Sequence, residues 1–202
     1  VAKLGYMFQT CGFKIEEEKN AMRSRFSLPL IKKGRLLPSM KQKSFLNRYP
    51  ETISAKNPKK RVAIFIGCLA NYNFVEVGDS LVKILKYLDI DIFIPKKQMC
   101  CSAPAYFTGD FATTDKLSKF NMDYFSEWID DVDAILVPEA TCSAMLKVDY
   151  EHYFKKYAPE YLEKHKKINS KIFGATEWLH KETDLKHILD EKDKLNTKVT
   201  YH

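Results

Sequence analysis

The chain has 202 residues, 45% hydrophobic and 29% charged, which suits one sizeable water-soluble domain with an extension. No stretch of about 18 apolar residues is present to cross a bilayer, and no apolar export signal opens the sequence, so the cytoplasm is the expected compartment. The formal net charge of +7 is lopsided: residues 1–61 carry 15 Lys/Arg against 4 Asp/Glu, leaving 18 against 22 for the remainder.

Residues 1–60 read as a basic extension, irregular or in short helices near 15–24 and 40–47. Gly5, Gly12, Gly34, Pro29, Pro38, Pro50 and Pro58 interrupt it. It is expected to lie along the domain behind it, anchored by Phe26, Leu28, Leu30 and Phe45. No helix-turn-helix, zinc-finger or RNA-binding pattern accompanies the charge, so nucleic acid is not an expected partner.

From Arg61 the texture changes. Residues 61–66 (RVAIFI) are a near-continuous apolar run of the kind buried on both faces of a parallel sheet. Val77, Leu81, Ile84, Leu85 and Leu88 then recur at helical spacing. Residues 90–94 (IDIFI) predict a second strand stopped by Pro95, and a helix follows with Leu117, Phe120, Tyr124, Phe125 and Trp128 on one side. Asp110 is placed to cap that helix. Residues 134–137 (AILV) predict a third strand stopped by Pro138, with a helix opening at Cys142 and carrying Met145, Leu146, Tyr150 and Phe154. A fourth strand is expected at 171–173, a helix at 177–189 and a fifth strand at 198–201. Strands alternating with helices of this length predict an α/β fold, a Rossmann-like parallel sheet flanked by helices, over 61–202.

Five cysteines, no export signal and a chain of this length argue against a disulfide framework. Cys68 follows the first strand, the pair Cys100–Cys101 the second, and Cys142 the third. All four are therefore expected at the C-terminal edge of the sheet, where open α/β folds build their sites. No charged residue occurs between Gln98 and Gly109, and small residues surround Cys142 as well. A lone cysteine is more often a buried small hydrophobe than a ligand, but three successive strands delivering thiols to one edge point to a shared soft-metal or redox site. Cys11 lies outside this frame. His152, His165, His180 and His187 fall in polar helical stretches and read as surface residues.

The stretches Ile66-Gly-Cys-Leu69, Cys100-Cys-Ser-Ala-Pro104 with Gly109-Asp110, and Thr141-Cys-Ser-Ala-Met-Leu146 resemble the motifs of the cysteine-rich CCG domain. The intervals are 31 residues (69–99) and 40 residues (102–141). That resemblance covers roughly 61–202 and implies an iron–sulfur electron-transfer subunit of the glycolate or lactate oxidase type, or a protein similar to the CCG-bearing component of heterodisulfide reductase. It implies Cys68, Cys100, Cys101 and Cys142 as metal ligands, with Gly67, Ser102, Pro104, Ser143 and Met145 lining the site. The implied cofactor is an iron–sulfur cluster of the [4Fe–4S] type, with zinc in a structural assembly subunit as the alternative. The implied partners are a flavin-containing dehydrogenase subunit, a ferredoxin-type domain and a second CCG repeat, with peripheral association at the inner face of a membrane. The chain, beginning at Val1, is then expected to be the first half-repeat of a longer protein. It departs from the family pattern at two places: Ser102 stands where the third residue of the signature is glycine, and Met145 where a fifth cysteine would be. Thiol–disulfide chemistry at Cys100–Cys101 ranks last, because adjacent cysteines rarely close an unstrained disulfide.

Overall fold

In the computed structural model of the chain, residues 2–27, 32, 34–192 and 197–198 are described. The expected anchors Leu28 and Leu30, and all but Lys198 of the strand expected at 198–201, lie outside them.

The extension is more ordered than its composition suggests. Helix α1 (Ala2–Gly12) leads into β1 (Phe13–Glu16), β2 (Ala21–Ser24) and β3 (Leu36–Pro38), an antiparallel sheet in that order. The helix expected over 15–24 is thus a hairpin. Asn20 adopts a left-handed conformation (φ 48°), which a short polar side chain tolerates and which ends helical growth. Arg23 then pairs with Glu16 across the two strands at 2.5 Å. The Gln9 amide bonds to both the backbone carbonyl and the N–H of Met40, at 2.6 and 2.7 Å, tying α1 to the end of β3.

One expected anchor holds and one does not. The Phe45 side chain is fully buried, at the start of α2 (Phe45–Arg48), a shorter helix than the one expected at 40–47. Its ring lies against Gly78, where an added Cβ would meet ring carbons at 2.5 Å. Phe26 instead points outward and is 66% exposed, because the turn that Ser24 makes with the Phe26 backbone carries the chain off the sheet. Polar bonds complete the attachment: Leu46 N–H donates to Asn71 Oδ1 at 3.1 Å, Lys96 donates to the Tyr49 carbonyl at 2.7 Å, and Arg48 pairs with Asp79 at 2.9 Å.

After a two-residue edge strand β4 (Thr52–Ile53), the chain alternates strands and helices. They run β5 (Arg61–Ile64), α3 (Cys68–Tyr72), α4 (Val75–Tyr87), β6 (Asp91–Phe93), α5 (Ala103–Thr108), α6 (Phe111–Ser126) and β7 (Ala134–Val137). Next come α7 (Ala140–Ala144), α8 (Tyr150–Tyr157), α9 (Leu162–Asn169), β8 (Ile172–Gly174), α10 (Ala175–Glu182) and α11 (Leu185–Asp190). A π-helical turn, Met145–Asp149, joins α7 to α8. The expected helix at 177–189 is two helices, broken where the Thr183 hydroxyl bonds the Leu179 carbonyl and takes the Leu185 N–H.

The sheet order is β4-β6-β5-β7-β8, parallel except for β4 against β6. β4 was not expected, since two residues are too short to show an alternation. Successive residues of β5 face opposite layers, as strand geometry requires. Val62 and Ile64 pack with Leu81, Leu85 and Trp178 on one side, and Ala63 and Phe65 with Met122, Phe125 and Phe154 on the other. Each such side chain contributes about 1.5–3 kcal/mol on burial, so covering both faces explains the near-continuous apolar runs in the sequence. From β5 the chain moves to one side through α4, and from β7 to the other through α8 and α9. The crevice between the C-terminal ends of β5 and β7 is therefore the topological switch point, the usual ligand position in such sheets.

Candidate metal centre

Cys68 and Cys142 lie beyond the ends of those two strands, and the Cys100–Cys101 loop follows β6, the neighbour of β5. The four expected ligands therefore converge on the switch point. They form a graded row from solvent to interior: Cys68 is exposed, Cys100 half-buried, and Cys101 and Cys142 buried. Cys68 adjoins Cys100, Cys100 adjoins Cys101, and the Cys101 and Cys142 sulfurs are 3.3 Å apart as free thiols. A cleft of about 320 Å³ opens on the Cys68 and Cys100 end, walled by Ile66, Gln98, Met99 and Leu117 and by Leu46 from the extension.

Electrostatics follow this crowding. The Cys101 thiol alongside and burial hold the Cys100 thiol far above its ordinary pKa of 9.0. Burial, together with Cys100, raises that of Cys68. The Cys100 contact lowers the Cys101 pKa, but the Cys142 contact and burial outweigh it, and Cys101 is pushed up to about 12. These are protonated thiols at neutral pH without a metal. Metal binding must displace their protons, so loading is tied to pH.

The backbone that presents the sulfurs is held by three polar side chains absent from the expected set. Glu139, two residues past β7, accepts from Gly67 N–H at 3.0 Å and from Ala70 N–H at 3.2 Å. The residue that precedes the Cys142 helix thus caps the helix that begins at Cys68. Burial raises the Glu139 pKa, against the pull of these backbone donors. Gln98 is buried and accepts from Ile66 N–H at 2.8 Å while donating to the Ile64 and Pro95 carbonyls at 3.2 and 2.9 Å. Asn121, also buried, accepts from Met99 N–H at 2.9 Å and donates to the Cys100 carbonyl at 3.2 Å. Gln98 and Glu139 stand beside the motifs in sequence, and a polar or acidic side chain next to otherwise small, uncharged residues was the available signal. Asn121 reads as one more polar residue on a helix and carries no such signal.

The expected lining residues divide. An added Cβ at Gly67 would fall 2.6 Å from both the Cys142 sulfur and Glu139 Oε1, so no side chain fits there. Ser102 is buried with φ +66°, the left-handed conformation that glycine adopts without strain, which is the physical reason for a glycine at that place in the signature. Met145 lies in the same apolar cluster as Cys101 and Cys142. Ser143 is half-buried and bonds back to the Glu139 carbonyl at 2.9 Å. Pro104 is exposed in the first turn of α5 and shapes the loop rather than the site. Asp110 does cap α6, accepting from Thr113 N–H at 3.1 Å. His165 departs from its surface reading: it is buried, with Nε2 2.8 Å from the Leu146 carbonyl, and braces the turn after Cys142.

Two buried hydroxyls by the cysteines, Ser102 Oγ and Tyr150 Oη, have no partner in the protein. Orphaned donors beside thiols fit a group carrying sulfur or negative charge. Among the described residues no three donors gather around a point that one ion could occupy, so the geometry lends no support to zinc. A [4Fe–4S] cluster would carry each cysteine on a separate iron, so binding it requires the Cys101 and Cys142 sulfurs, 3.3 Å apart here, to separate.

Residues 62–147 match the family model described as CCG, cysteine-rich domain. That stretch is a CCG cysteine-rich domain. The chain is 32% identical to an uncharacterized iron-sulfur protein of Methanococcus maripaludis, over 86% of this chain and 30% of that protein. It is 31% identical to lactate utilization protein A of Geobacillus thermodenitrificans, over 70% of this chain and 56% of that protein. It is 30% identical to a probable glycolate oxidase iron-sulfur subunit of Bacillus subtilis, over 78% and 35%. The chain thus spans between 30% and 56% of the length of these relatives. No solved structure matches it. Among the described residues no helix is long and apolar enough to cross a membrane.

Proposed function

We propose that this CCG domain is part of the iron–sulfur subunit of a flavin-linked oxidoreductase of the glycolate or lactate oxidase type. The carrying observation is the row of four cysteines at the switch point of a domain whose relatives are named as iron-sulfur and lactate-utilization proteins. In this reading Cys68, Cys100, Cys101 and Cys142 hold a cluster of the [4Fe–4S] type. When bound, the cluster supplies one-electron chemistry between a reduced flavin on a dehydrogenase partner and an acceptor such as quinone. The chain's own residues fix where electrons enter and leave. Cys68 and Cys100 face the cleft and mark the side open to a partner, while Cys101 and Cys142 are buried in the apolar cluster that also holds Phe125, Met145 and Tyr150. Glu139 and Gln98 hold the backbone leading into Cys68 through the Gly67 and Ile66 N–H groups, which fixes where that thiolate is presented. A ferredoxin-type domain, a second CCG repeat and attachment at the inner face of a membrane through partners belong to the same reading.

The test is substrate-driven reduction. Full-length protein mixed anaerobically with its flavin dehydrogenase should lose visible absorption on addition of lactate or glycolate. Bleaching by dithionite but by neither acid would overturn the oxidase assignment.

A further inference from the structure

Six buried side-chain polar atoms among the described residues have no hydrogen-bond partner, and two of them are hydroxyls on the cysteine side of the domain. Tyr150 is fully buried, eight positions beyond Cys142 and just past the π-helical turn, and it packs in the cluster that holds Cys101, Cys142 and Met145. Ser102 is next to Cys101 and 1% exposed. The Asn121 amide and the Ser102 hydroxyl lie close to the Tyr150 hydroxyl, but neither makes a hydrogen bond of good geometry with it. Asn121 is engaged with the backbone of Met99 and Cys100. A buried hydroxyl left unpaired is unfavourable, and two of them beside the cysteines point to a place that receives an acceptor.

We propose that the Tyr150 and Ser102 hydroxyls donate hydrogen bonds to the sulfurs of the bound cluster and thereby set its reduction potential. The inference rests on the cluster reading above and goes beyond it by assigning tuning residues. A donor aimed at sulfur stabilises the reduced, more negative state more than the oxidised one, and so raises the potential. Neither side chain is a ligand, so neither is needed to retain the metal. Tyr150, in the first turn of α8, belongs to the apolar cluster that buries Cys101 and Cys142.

The experiment compares wild type, Tyr150→Phe and Ser102→Ala as full-length proteins purified without oxygen, by iron and sulfide content, redox titration and melting of the cluster-free form. Both variants should keep full iron and sulfide but bind the electron more weakly. The expected loss is about tenfold for Tyr150→Phe, equal to about 59 mV for one electron, and less for Ser102→Ala. In the cluster-free form both should melt at or above the wild-type temperature, because an unsatisfied hydroxyl is removed. A residue that merely packs would leave the potential unmoved, so wild-type potentials in both fully loaded variants overturn the proposal. Should Tyr150→Phe fail to load, Ser102→Ala decides by the same criterion. Wild-type protein that holds no iron and sulfide overturns the cluster reading itself, a failure visible before any titration.

Discussion

The two ends of the cysteine row are built on opposite terms. At the Cys68 end, Glu139 and Gln98 meet the backbone groups of Ile66, Gly67 and Ala70, and the frame is complete as it stands. At the Cys101–Cys142 end, the Tyr150 and Ser102 hydroxyls are buried without partners and two thiols touch. The first end is a scaffold that stabilises the fold. At the second, two buried hydroxyls find no partner within the protein itself. Stability and function should therefore separate along the row.

The largest effect should come from the sulfurs. Cys101→Ser or Cys142→Ser should remove most bound iron and sulfide while leaving the far-ultraviolet circular dichroism unchanged, since the apolar clusters on both faces remain.

Next comes the frame. Glu139→Ala strands two backbone N–H groups and should cost about 1–3 kcal/mol in urea unfolding. Glu139→Gln, which keeps one acceptor oxygen, should cost less. Burial raises the Glu139 pKa above its ordinary 4.5, so the folded state favours the protonated acid. Its stabilisation is fully present below pH 4.5 and is lost as pH rises through the folded pKa. Glu139→Gln should flatten that part of the cluster-free stability profile, and an unchanged slope would remove Glu139 from the account.

The attachment of the extension gives an effect of similar or smaller size. Gly78→Ala drives a Cβ to 2.5 Å from the Phe45 ring, and overpacking of this kind costs about 1–3 kcal/mol. Limited proteolysis should then cut near residue 45 sooner than in wild type. The smallest shift should come from Ser102→Gly, which relieves the φ of +66° and should raise the melting temperature of the cluster-free protein by a few degrees at most.

Much of this arrangement could be read from the sequence. The apolar runs at 61–66, 90–94 and 134–137 need burial on both faces, which leaves few alternatives to a parallel sheet, and strand order then brings the four cysteines to one edge. The extension was harder to read. A hairpin of four-residue strands carries little periodicity, and only Asn20 marked its turn. Phe45 was legible as an anchor because it is a large aromatic in a basic stretch, whereas the outward direction of Phe26 depends on a turn with no strong signature. Within the site, Glu139, Gln98 and Asn121 bond to backbone groups distant in the chain, and sequence position does not disclose those partners. Tyr150 looked like one more apolar position on a helix face, and only its unpaired hydroxyl distinguishes it.

The most direct measurement is iron and acid-labile sulfide in the full-length protein purified without oxygen, alongside the four single cysteine-to-serine variants. Near-equal iron and sulfide in wild type, falling sharply when any of Cys68, Cys100, Cys101 or Cys142 is replaced, is the predicted result. Iron and sulfide that survive all four substitutions, or stoichiometric zinc in their place, would contradict the assignment of this row as the cluster site.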